Sequence, residues 1–141
     1  MKTILQTITV AALFCVMAAG VVNAAGVQII ASKDVNISEI SADDLKQIFL
    51  ETETSVGGAK VKPVLQKGGP AHAAFLKEYV GKSDDDLEAY YKTLVFSGKG
   101  SEPKALAGDA AVISFVAMSK GVIAYVSDSA IVMGVNKIAI K

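Results

Sequence analysis

The chain has 141 residues, and its 14 basic side chains, all Lys, balance 14 Asp and Glu. A neutral chain with no Arg and no basic cluster offers no phosphate-contacting surface, which excludes nucleic acid as a partner. One Cys precludes an internal disulfide, and one His, His72, leaves no ligand set for structural zinc and a single imidazole for any nucleophilic mechanism. No catalytic residue, metal site or cofactor is therefore expected.

Residues 1–24 have the layout of a secretory signal peptide. Lys2 forms a short positive region, and Ile4 to Val22 is dominated by apolar residues. Val22-Asn23-Ala24 offers small residues at the positions a signal peptidase reads, with cleavage before Ala25. The alternatives are a retained membrane anchor and lipidation at Cys15. Thr7, Thr9 and Gly20 dilute the run, and Leu13-Phe14 does not supply the small residue a lipidation site wants before its Cys. Without this segment the hydrophobic fraction of 52% falls just below half, and the remainder has no Cys and one more acid than Lys. The expectation is a single domain, 25–141, exported to the periplasm and not integral to the membrane once the signal is removed. That length buries a core without disulfides.

Gly26 to Ala31 (GVQIIA) is an apolar run expected to be a strand. Ser41 is an N-cap candidate, Asp43 and Asp44 suit a first helical turn, and Leu45, Ile48 and Phe49 follow at helical spacing. Glu53 to Ala59, with Gly57-Gly58, reads as a loop. Lys60 to Lys67 (KVKPVLQK) reads as a strand in which Pro63 points to an edge or a bulge. Gly68-Gly69-Pro70 then opens a helix carrying Phe75, Leu76, Tyr79 and Val80 and closed by Gly81. Ser83 caps the next helix, where Leu87, Tyr90, Tyr91, Leu94 and Val95 form an apolar stripe, with the tyrosine hydroxyls expected to be wet. Ser97 to Lys104 (SGKGSEPK) reads as a loop. Asp109 to Ser119 is a helix apolar nearly all round, as if laid against a sheet. Val122 to Val126 and Val135 to Ile140 are closing strands. Helices alternating with strands predict an α/β fold with a mixed or parallel sheet.

The junction from Lys67 to His72 carries the most chemistry. A helix N-terminus presents free N–H groups and the positive end of the helix dipole, and Gly68-Gly69 let an anion approach. Lys67 and His72, the latter expected at the surface, would add charge. Ser97 to Ser101 is not a phosphate loop, because Thr93 and Gly100 stand where that pattern needs Gly and Ser or Thr. Asp84 to Asp86 is not a calcium loop, because Ala89 stands where its Gly should be, and helix capping explains the run.

In their order, Ile40 to Glu51 (ISADDLKQIFLE), Lys62-Pro63-Val64, Gly68 to Phe75 (GGPAHAAF) and Gly121 to Val126 (GVIAYV) resemble the phosphate-type periplasmic solute-binding proteins of ABC transporters, in particular their short, single-lobe members. The resemblance implies one lobe of the type II periplasmic-binding-protein fold, a mixed sheet flanked by helices. It also implies a non-enzymatic protein that holds phosphate or another small oxyanion through Lys67, Gly68, Gly69, Ala71 and His72. The implied partners are an ABC-transporter membrane component or another periplasmic protein. Where the family has Ser, Gly and Thr, this chain has Gly69, Pro70 and Ala71, and Leu65 and Gln66 occupy the neighbourhood of the family's Arg. The grip would thus fall to backbone N–H groups. A lone lobe also leaves uncovered the face that would meet a second lobe. The alternative is therefore an interaction module that binds a partner or itself and takes no small molecule.

Overall fold

The computed structural model describes residues 26–141, so the signal segment expected at 1–24 lies outside the described residues. Six strands form one mixed sheet: β1 (Val27–Ala31), β2 (Glu39–Ile40), β5 (Lys62–Gln66), β6 (Lys104–Leu106), β7 (Val122–Ser127) and β8 (Asn136–Ile140). Their order across the sheet is β2-β8-β1-β7-β5-β6. β1 runs antiparallel to both β7 and β8, whereas β7, β5 and β6 form a parallel half. A small hairpin of β3 (Ser55–Val56) and β4 (Ala59–Lys60) turns at Gly57-Gly58, inside the stretch expected to be a loop.

Helix α1 (Ala42–Phe49) is capped as its sequence implies, with Ser41 Oγ accepting from the Asp44 N–H at 3.1 Å. Helix α2 (Pro70–Phe75) continues as one π-type turn over Leu76–Val80 and ends at Gly81, whose φ of 70° suits glycine. Helix α3 (Asp84–Phe96) has Ser83 Oγ accepting from the Asp86 N–H at 3.2 Å. Helix α4 (Asp109–Met118) lies alone on the opposite face of the sheet.

Alternation along the strands builds a core on each face. Ile29, Leu65, Ile123 and Tyr125 face α1, α2 and α3, while Ile30, Val64, Ala124 and Val126 face α4. β7 is buried on both faces, which is why it reads as an unbroken apolar run.

Three expectations are corrected. Pro63 sits at no edge, because β5 lies between β7 and β6. The Lys62 N–H donates to the Gly121 carbonyl on the β7 side, so Pro63 points its missing N–H toward β6, whose pairing begins only at Val64. The hydroxyls of Tyr90 and Tyr91 are bonded to the backbone rather than left to water alone. The Tyr90 hydroxyl donates to the Leu50 carbonyl at 2.6 Å and that of Tyr91 to the Phe49 carbonyl, so α3 satisfies the carbonyls at the end of α1. Val95 is half exposed rather than part of the stripe. Helix α4 lies against the sheet as expected, burying Val112 and Val116 and leaving Met118 exposed on its outer face.

Candidate anion site at the carboxyl ends of the parallel strands

β5 feeds α2 on one face of the sheet and β6 feeds α4 on the other. The two helices therefore start above the carboxyl ends of adjacent parallel strands and leave to opposite sides, the arrangement that opens a crevice in α/β sheets. Both helices begin at glycine in a conformation that other residues adopt only at a cost, φ 91° and ψ 173° for Gly69 and φ 88° and ψ 165° for Gly108. No side chain among the described residues caps either glycine. Pro70 has no N–H, so Ala71 and His72 supply the first donors at the start of α2.

The junction is braced from below by a polar chain. The Gln66 N–H donates to the Tyr125 hydroxyl at 3.0 Å, and its amide Nε2 donates to Asp109 Oδ1 at 2.8 Å and to the Tyr125 carbonyl at 3.1 Å. Asp109 Oδ1 also accepts from the Ser127 N–H at 3.0 Å, and Oδ2 accepts from the Ser127 hydroxyl. Burial raises the Asp109 pKa, but the donors from Ser127 and Gln66 outweigh it and hold the carboxyl below its ordinary 3.8. Tyr125 is fully buried and stacks on Phe75 with ring centres 3.9 Å apart. Burial pushes its phenol well up, with Asp84 adding to the rise and the Gln66 N–H opposing it, so it stays a neutral hydroxyl.

His72 is the clearest departure from expectation. It is not a surface residue but only 4% exposed. Its Nδ1 bonds the Tyr125 hydroxyl and its Nε2 lies 3.0 Å from Asp84 Oδ1. These partners assign the proton: Nε2–H donates to the carboxylate, and Nδ1 accepts from Tyr125, whose oxygen in turn accepts from Gln66. The imidazole is thus a strut between α2, β7 and the start of α3. What His72 leaves for a ligand is its backbone N–H.

The candidate residues are only partly brought together. Gly68, Gly69 and His72 line one shallow cavity of about 420 Å³, which also takes in Lys77, Lys82 and Asp84. Lys67 is exposed at the junction, and its N–H is already bonded to the Leu106 carbonyl at 2.9 Å. Ala71 is buried behind it. Sequence reasoning missed Gln66, Tyr125, Asp109 and Lys82. A signal for Asp109 was present, since Ala107-Gly108-Asp109 repeats the glycine-then-helix pattern of Gly68-Gly69-Pro70. Among the described residues, no helix is long and apolar enough to cross a membrane.

A parallel half-sheet, helices departing to both faces and glycine-opened helix starts over the strand ends define one lobe of the periplasmic-binding-protein fold. The chain is similar to a protein described as a phosphate ABC transporter substrate-binding protein, solved with bound phosphate, from Clostridium perfringens, at 18% identity and a TM-score of 0.64. It is also similar to an ABC-type phosphate transport receptor from Vibrio cholerae (14%, 0.62) and to PstS from Borrelia burgdorferi (14%, 0.61). Each match covers 82% of this chain, but only 44%, 46% and 47% of the respective neighbour, so the chain spans less than half their length. At this identity the likeness shows the fold expected from the sequence motifs. No protein-family model matches the sequence, and no curated protein does.

Proposed function

We propose that the chain is a non-enzymatic solute-binding-like protein that takes phosphate or another small oxyanion at the start of α2. The observation that carries this reading is the uncapped, glycine-opened N-terminus of α2 at the carboxyl end of β5. Gly68 and Gly69 give access, Ala71 and His72 give N–H donors, and Lys67 gives charge, joined by Lys77 and Lys82. With no Arg in the chain, there is no planar fork to grip two oxygens at once, so binding is weak and broad among oxyanions. The proposal includes a signal peptide at 1–24, a single domain at 25–141, a periplasmic location and an ABC-transporter membrane component as partner. Isothermal titration with phosphate tests it: the chain gives a saturable millimolar isotherm, and Lys67→Gln weakens it by about threefold or more. No heat, or an unchanged isotherm in the variant, contradicts the assignment.

A second reading, an interaction module, has its own observation. Met118, Ile131 and Met133 are 83%, 84% and 74% exposed, beside segments of 130–135 that pack on the same core as α4. Particle mass in solution separates the two. The binding-protein reading expects a monomer at micromolar concentration, and a dimer that dissociates in Met118→Lys supports the module.

A further inference from the structure

A cavity lies at the far end of the sheet from α2, at the starts of β5 and β6. It measures about 710 Å³, within the roughly 300–1,000 Å³ range of small-molecule sites. Its floor is apolar, formed by Ile48, Val61, Pro63 and Val64, all buried, with Phe115 as a wall. Its rim carries Lys60, Lys62, Lys99 and Lys104. None of these four is ion-paired among the described residues, where the only lysine pair is Lys92 with Glu88. Lys104 instead holds its Nζ 4.9 Å from the centre of the Phe115 ring.

Three glutamates share the rim, yet two are already engaged. Glu51 Oε2 accepts the Ser101 N–H at 2.9 Å, and Glu53 Oε1 accepts the N–H groups of Thr54 and Ser55 at 3.1 and 3.3 Å. Both keep their negative charge, but neither lies within ion-pair distance of the four lysines. The remaining carboxylate, Glu102, is exposed. The four ammonium groups outnumber the three carboxylates, which disfavours a cation, and an inorganic anion would leave the apolar floor uncovered. The chemistry that satisfies both parts is an apolar body ending in a carboxylate.

We propose that this groove binds an organic carboxylate with an apolar body, at a site separate from the oxyanion junction. The test is an amide-resolved NMR titration with octanoate, with 1-octanol and inorganic phosphate as controls. Octanoate shifts the amides of residues 60–64 and 98–104. Its affinity falls about tenfold in the triple variant Lys60→Gln, Lys62→Gln, Lys104→Gln. In the unaltered chain, raising the salt weakens octanoate and leaves octanol unaffected, which gives a readout independent of the variant. The proposal is overturned by silence at those amides up to about 10 mM octanoate, by equal affinities for octanol and octanoate, or by a response centred on Met118 and Met133. Phosphate leaves 60–64 and 98–104 unmoved, so failure here is distinguishable from failure at α2.

Discussion

Tyr125 decides more than any other side chain at the junction. Its hydroxyl bonds both the end of β5, through the Gln66 N–H, and α2, through His72. Tyr125→Phe keeps the ring stack on Phe75 but strands a buried N–H and an imidazole nitrogen. The expected cost is about 1–3 kcal/mol, the penalty for buried groups left without partners. Urea unfolding measures it, and an unchanged midpoint would mean that the polar chain carries no stability. The role of His72 was not legible in the sequence for a related reason. A lone His in the first turn of an alanine-rich helix carries no local sign of burial. Its partners lie 53 and 12 residues away in the chain. What was legible at this scale was local: Ser41 and Ser83 as caps, and Gly68-Gly69-Pro70 as the break before a helix.

At the scale of elements, helices with strong caps and clear stripes were read from sequence, and long strands were as well. β2, β3, β4 and β6 were not, because two or three residues carry no periodicity, and their pairing is set by neighbours distant in the chain. The start of α4 is the element whose behaviour depends on pH. Asp109 ties α4 to β5 and β7 through Gln66 and Ser127, and those donors depress its pKa. A carboxyl held lower in the folded state than in the unfolded chain stabilises fully above the unfolded value of about 4. That stabilisation disappears as pH falls through the lower folded value. Asp109→Asn keeps the shape and removes the charge. The wild-type chain therefore exceeds the variant in stability at pH 6, and its advantage shrinks below about pH 4. A difference that stays constant from pH 6 to pH 3 contradicts this account of the α4 anchor.

For the molecule as a whole, the mixed sheet with helices on both faces was legible in the alternation of helix and strand patterns, and the order of four short motifs resembled that of the phosphate-type proteins. The division of labour between the two ends of the sheet was not. The carboxyl ends of β5 and β6 carry glycines, free N–H groups and a braced polar chain, whereas the opposite ends carry an apolar floor with unpaired lysines. The absence of Arg joins these observations: an oxyanion held here rests on backbone donors and lysine charge, and so on the conformation of Gly68 and Gly69. The most direct measurement is a phosphate titration of the isotope-labelled chain, read amide by amide. Residues 67–73 should shift saturably at millimolar phosphate while 98–104 stay still. Stationary amides at 67–73, or shifts centred elsewhere, would contradict the assignment of the α2 junction as the anion site.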